Sequence, residues 1–313
     1  MSDRLILKSA HGSASILPER GRVLQIETGG HEAFWNPPEM TAAWNLGGER
    51  LWLGPEASWF WKMTDKVDFD YYQVPPGLDP DTWQVGTSGV GSATCELKLY
   101  LASAHSGNQL DLALRRKFEL LADSGMARGT TGVGLRISTT LEILAGTQGQ
   151  PVDLWSIVQV PFGGKFHIPA AKRPEARNYF APCPADETAM SDGVFTIRVG
   201  GPAVFKIGIN PCQSAGRMAY VRQVEGGWLV LTRSFPLHPA LSYCDAPLDA
   251  QGTQGDAAQF FNDGGMFGSF GEMEHRSPAL ICGQGPQSYT ETTITTLALL
   301  DEAGLAAWQR SFV

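Results

Sequence analysis

Apolar and polar residues alternate with a period of two along most of this 313-residue chain, and no other feature restricts its fold as much. Successive side chains of an extended strand point to opposite faces, so each alternating run builds one apolar face. Such runs recur at 22–27, 110–115, 135–138, 194–199, 204–209 and 228–233, and 289–299 is a Thr- and Ile-rich stretch suited to a long strand. Turn residues separate them: Gly29-Gly30, Asn36-Pro37-Pro38, Pro75-Pro76-Gly77, Gly163-Gly164, Gly226-Gly227 and Asp263-Gly264-Gly265. With 36 Gly and 20 Pro the chain is poorly suited to long helices. One helix is expected, at the C-terminus, with Asp301 as N-cap and Leu305, Trp308 and Phe312 on one face. No strand–helix–strand alternation occurs, which argues against doubly wound folds and TIM barrels. The expectation is an all-β protein: one large antiparallel domain over residues 1–313, with a short C-terminal helix.

Charge and cysteine content narrow the partners. Lys and Arg number 24 against 32 Asp and Glu, a net charge of −8, so a phosphate-backbone ligand is a poor fit and no nucleic acid partner is expected. The densest basic cluster, Arg115-Arg116-Lys117, reads as a solvated strand end. No stretch approaches the roughly 18 apolar residues of a membrane-spanning helix. The first residues lack the run of about 7–15 apolar residues that marks a signal peptide, so a cytoplasmic location is expected. Cys95, Cys183, Cys212, Cys244 and Cys282 are scattered, without a Cys-x-x-Cys pair, and read as reduced, mostly buried thiols.

Several chemistries find no motif. There is no P-loop, no dinucleotide fingerprint, no His-Glu-x-x-His and no Gly-x-Ser-x-Gly elbow. The six histidines (His11, His31, His105, His167, His238 and His275) are dispersed, with none paired at metal-ligand spacing. Neither a metal nor a cofactor is expected.

Two segments are unusual in composition. The first runs Trp44-Asn45-Leu46-Gly47-Gly48-Glu49-Arg50-Leu51-Trp52-Leu53-Gly54-Pro55-Glu56, followed by Trp59-Phe60-Trp61. Aromatic rings beside Arg, Asn and Glu suit sugars, whose C–H faces stack on rings while hydroxyls bond to charged groups. The competing reading is that the tryptophans fill the core and that Arg50 pairs with Glu56. The second is Asn262-Asp263-Gly264-Gly265 with Phe270-Gly271-Glu272-Met273-Glu274-His275-Arg276. In a strand, Glu272, Glu274 and Arg276 share one face, while Met273 and His275 share the other. Like charges about 7 Å apart raise one carboxyl pKa, as acid–base chemistry requires. A solvated face with a structural ion pair is the alternative.

The 44–56 segment resembles a bacterial branch of the galactose mutarotase-like (aldose 1-epimerase-like) superfamily. So do residues 154–161, 205–209, 262–264 and 270–274, while 15–24 is similar to the opening hairpin of that superfamily. Together these segments span almost the whole chain. The resemblance implies a large antiparallel β supersandwich and a carbohydrate ligand. In the aldose 1-epimerases of the superfamily a late Glu acts as base on the anomeric hydroxyl and a mid-chain His protonates the ring oxygen, without metal or cofactor. By resemblance Glu274 is the candidate base, with Glu272 next, and His167 is the candidate acid, although its surroundings differ from the epimerase histidine motif. Arg50, Trp52, Glu56, Trp44, Asn45, Lys206 and Asn262 are the candidate substrate-binding residues.

Three functions follow. The first is an aldose 1-epimerase-like isomerase using Glu and His. The second is a polysaccharide lyase or hydrolase acting on uronates, with Tyr71, Tyr72, Arg50 and Lys206 available. The third is a noncatalytic sugar-binding protein using Trp44, Trp52, Trp59 and Trp61.

Overall fold

The computed structural model describes residues 4–39, 45–79, 82–121 and 132–313. Every alternating run singled out above lies within a strand, and the strands form two antiparallel sheets. The eleven-stranded sheet runs in the order Leu5–Lys8, Gly12–Leu17, Arg22–Thr28, Glu49–Gly54, Pro151–Pro161, Phe270–Arg276, Ala258–Asp263, Val204–Ile209 and Arg177–Asn178. The short strands His31–Glu32 and Leu280–Ile281 add to it at the side. The ten-stranded sheet runs Thr188–Ser191, Val194–Val199, Gly164–Pro169, Arg217–Val224, Gly227–Ser234, Ser288–Leu300, Gly132–Gly146, Gln109–Leu120, Ser92–Ala102 and Gln84–Gly89. Gly29 and Gly30 turn the Arg22–Thr28 strand back on itself, both at positive φ, which glycine adopts without steric cost.

The two sheets face each other across one apolar core. Strands of the ten-stranded sheet such as Ser92–Ala102 alternate buried and exposed, as one wet face requires. The central strands of the other sheet, Glu49–Gly54, Ala258–Asp263 and Phe270–Arg276, are buried at every position. Their second face is covered by chain that crosses over it: Phe60 packs on Trp52 and Trp155, and Phe180 on Phe261. Polar residues on that covered face are therefore out of water, and each needs a partner.

The basic cluster corrects one expectation. Arg115 and Lys117 face solvent, but Arg116 lies mid-strand on the inner face, 1% exposed. It ion-pairs Glu49 of the opposite sheet at 2.7 Å. The C-terminal helix spans Glu302–Phe312, and the Asp301 side chain accepts the Gly304 N–H at 2.7 Å. Leu305 joins Val221, Val230, Ala298 and Leu300 on the outer face of the ten-stranded sheet. All five cysteines are free thiols; Cys95 and Cys282 are buried, Cys183 and Cys244 half-buried, and Cys212 exposed.

Candidate functional site

On the covered face of the eleven-stranded sheet is a cavity of about 440 Å³, lined by six of the residues expected for the epimerase-like site: Arg50, Trp52, Glu56, Lys206, Glu272 and Glu274. Strand register explains the convergence. Gln159 lies opposite Glu272, Ile157 opposite both Glu274 and Arg50, and Trp155 opposite both Trp52 and Arg276. On the other side of the Phe270–Arg276 strand, Phe261 lies opposite Glu272 and Lys206 opposite Phe261. Residues two apart on one strand thus become neighbours on one floor.

The charges on that floor are paired. Arg50 Nη2 lies 3.1 Å from Glu272 Oε1, which also accepts from Gln159 Nε2 at 2.8 Å. Lys206 Nζ sits 3.0 Å from both Glu56 Oε2 and Glu274 Oε2. Arg50 does not pair with Glu56, so the structural pairing considered from sequence is replaced by two others. Burial pushes the Glu272 carboxyl up to about 7; Arg50 opposes this, and the neighbouring Glu274 adds to it. Burial likewise pushes Glu56 up, against the pull of Lys206. For Lys206 burial works the other way, yet Glu274 and Glu56 together hold its ammonium above the usual range.

Glu274 is held on one side only. Its Oε2 accepts from Trp155 Nε1 at 2.6 Å and from Lys206, while its Oε1 is buried with no partner among the described residues. An acceptor of this kind is costly unless something else uses it. Trp155 is itself fixed between two cations, with Lys206 Nζ 4.4 Å and the Arg276 guanidinium 4.0 Å from its ring. Asp153 and Asp245 anchor Arg276 at 3.1 and 2.8 Å. Gly54 makes room for that anchor, since a Cβ there would run into the Arg276 guanidinium and the Asp153 carboxylate.

Other predicted residues lie elsewhere. His167 is on the outer face of the ten-stranded sheet, edge-on to Trp308 at 5.9 Å, in a separate cavity. Burial, with Lys165 beside it, pushes its imidazole down to about 4. It cannot act with Glu274, because each lies on the outer side of its own sheet, with the core between them. None of the six histidines lines the Glu272–Glu274 cavity. His275, next to Glu274 in the chain, points the opposite way, to Glu291 Oε1 at 3.0 Å and onto the Phe235 ring. Asn262 is consumed by the neighbouring turn, accepting from Gly200 N–H and donating to the Gly200 and Ala203 carbonyls. Asn45 acts through Arg50, whose Nη1 donates to it at 3.4 Å. Trp44 lies outside the described residues. Trp59 and Trp61 are buried and do not line the cavity, Trp61 packing on Phe69, Tyr72 and Phe180, and Tyr71 faces solvent beneath Lys66. Tyr72 does line the cavity, with burial pushing its phenol well above the usual range.

Sequence reasoning missed Trp155, Gln159 and the lining phenylalanines Phe69, Phe180, Phe261, Phe267 and Phe270. It also missed the role of Asp263, whose carboxylate accepts backbone N–H groups from Gly265, Phe267, Ser269 and Phe270 and so shapes the loop at the cavity mouth. The run Asn262-Asp263-Gly264-Gly265 was the signal, with Asp rather than Asn as its working residue. Among the described residues no cluster of three or more His, Cys, Asp or Glu is arranged to hold a metal, and no helix is long and apolar enough to cross a membrane.

Residues 31–145 match the model of a family of unknown function, DUF6786. No curated protein matches the chain in sequence. Solved structures match it over almost its whole length. A candidate aldose 1-epimerase from Escherichia coli K12 aligns with a TM-score of 0.61 at 10% identity, covering 95% of this chain and 99% of that one. A galactose mutarotase related enzyme from Lactobacillus acidophilus aligns at 0.57 and 7% identity, covering 96% and 99%. A galactose mutarotase-like protein from Lactobacillus casei aligns at 0.54 and 9% identity, covering 94% and 100%. At these identities the likeness is one of fold. With its two facing antiparallel sheets superposing along nearly their full length, the chain has the galactose mutarotase-like fold.

Proposed function

We propose that the cavity binds a reducing sugar and that the protein interconverts its anomers by acid–base catalysis. The observation that carries this reading is the pair of carboxylates on one strand in unlike surroundings. Glu274 is salt-bridged on Oε2 with an Oε1 that has no partner among the described residues, while Glu272 is poised to gain or lose a proton near pH 7. Glu274 Oε1 takes the proton of the anomeric hydroxyl, and Glu272 in its acid form gives a proton to the ring oxygen. The bond between C1 and the ring oxygen breaks, leaving an open-chain aldehyde. After rotation about C1–C2 the ring oxygen attacks the other face of C1, and both protons return to their sources. Lys206 and Trp155 hold Glu274 in place, and Arg50 and Gln159 hold Glu272. Glu272 thus takes the acid role for which His167 was the expectation. The names of the solved structures sharing the fold, which refer to aldose 1-epimerase and galactose mutarotase, support the same reading.

The charge balance favours a neutral sugar over a uronate. With Glu272 in its acid form, Arg50 and Lys206 face the two carboxylates Glu56 and Glu274, so the floor carries no net positive charge to neutralise a ligand carboxylate. The raised phenol of Tyr72 also suits it poorly to act as a lyase base. Exchange NMR on a panel of aldoses tests the proposal. Cross-peaks between α and β anomers that grow with protein concentration are expected. A panel that exchanges only at the buffer rate while still binding would leave the noncatalytic sugar-binding reading in its place.

A further inference from the structure

We infer that the sugar taken by this cavity carries an aromatic substituent distant from its anomeric carbon; the inference rests on the sugar reading above and names its substrate class. The cavity is divided by depth. Glu272 and Glu274 at the floor are 6% and 0% exposed, while Phe267 at the mouth is 38% exposed. Between them runs an arc of five phenylalanines without a polar handle: Phe267, Phe69, Phe180, Phe261 and Phe270. Consecutive ring centroids are 6.1, 5.2, 6.2 and 6.3 Å apart, and the first three contacts are edge-to-face.

An unsubstituted hexose presents hydroxyls around its whole rim, and each one loses water on entering. The charged groups of the floor are mostly bonded to one another, with Glu274 Oε1 left over, and Tyr72 and Gln73 add polar groups to the lining, but the phenylalanine arc can answer no hydroxyl. A ligand with one hydroxylated end and one aromatic end meets both halves. Size agrees: at about 440 Å³ the cavity lies within the range of about 300–1,000 Å³ usual for drug-sized ligands and exceeds the needs of one six-membered ring. The mouth is also built in advance, since the Phe267 N–H is one of the four that Asp263 holds, at 3.1 Å. With the anomeric carbon at Glu274 and the ring oxygen at Glu272, the arc, which begins at Phe270 and Phe261 beside Glu272, meets a substituent on the ring-oxygen side of the sugar, at C6.

Isothermal titration calorimetry with D-glucose, D-galactose and their 6-O-benzyl ethers tests this. At least about tenfold tighter binding of the ethers is expected. Ethers that bind no tighter than their parents overturn the inference and leave the sugar reading standing, whereas no binding by either class overturns both. Phe267→Ala, with circular dichroism to establish that it keeps the wild-type fold, is expected to cut the preference for the ethers to about threefold or less. An undiminished preference in that variant places the aromatic ring away from the arc and also overturns the inference.

Discussion

Three neighbouring strands carry a buried ionic layer on each face, and the two layers are built differently. Glu49 and Arg50, Ser156 and Trp155, and His275 and Glu274 are adjacent in sequence but point to opposite sides. Between the sheets, Glu49 meets Arg116 at 2.7 Å and Arg233 at 3.4 Å, and Ser156 bridges Glu49 and Arg233 at 2.8 and 2.6 Å. Burial alone would push the Glu49 carboxyl up, but the two arginines outweigh it and hold it below its ordinary value. On the cavity side Glu272 has one arginine and a second carboxylate beside it, and burial wins. An acid held between two arginines makes a cross-brace, whereas a surplus of acids beside a cavity suits the proton transfer proposed above.

The contrast sets opposite pH linkages. Glu49 is held below 4.5, so it contributes stability that is present above that value and lost as pH falls through its folded pKa. Glu272 is raised from 4.5 to about 7, so it contributes stability that is full below 4.5 and lost as pH rises through about 7.

The largest expected effect of substitution is on the brace. Glu49→Ala leaves two buried guanidinium groups without their carboxylate and is expected to cost about 3–5 kcal/mol in chemical denaturation. A loss under 1 kcal/mol, roughly that of a surface pair, would erase the distinction between the layers. Glu274→Gln is expected to lower anomer exchange at least about 100-fold while destabilising the protein less than Glu49→Ala does. Lys206 keeps Glu56 as a partner in that variant. Arg50→Met sharpens the comparison further. Without the cation that pulls Glu272 down, the midpoint of the pH–rate profile is expected to rise by about one unit. The smallest effect is expected from His167→Ala, which sits in the other cavity and should change the exchange rate less than about twofold.

Much of this was legible in the sequence, for a physical reason. Period-two alternation is a local signal, so the strands and the shared face of Glu272 and Glu274 could be read directly. Arg50, Glu56 and Lys206 stood out as charges within aromatic or apolar segments. What decides a partner is register between strands far apart in the chain, and no local pattern encodes it. That is why Trp155, opposite both Trp52 and Arg276, escaped notice, and why Arg116 looked solvated. His167 failed for the same reason: alternation fixes which neighbours share its face, but not which sheet its strand joins. Asn262 failed because a turn can use both ends of an amide as readily as a sugar can.

The most direct test of the account is the pH dependence of anomer exchange in the wild-type protein and in Glu272→Gln, followed by exchange NMR on whichever aldose the panel identifies. Because Glu272 must be protonated to give its proton to the ring oxygen, the wild-type rate is expected to fall as pH rises through about 7. Glu272→Gln should be slower throughout and lack that fall. A wild-type profile flat across that range, or a Glu272→Gln profile that keeps the same midpoint, would contradict the assignment of acid chemistry to this face of the sheet.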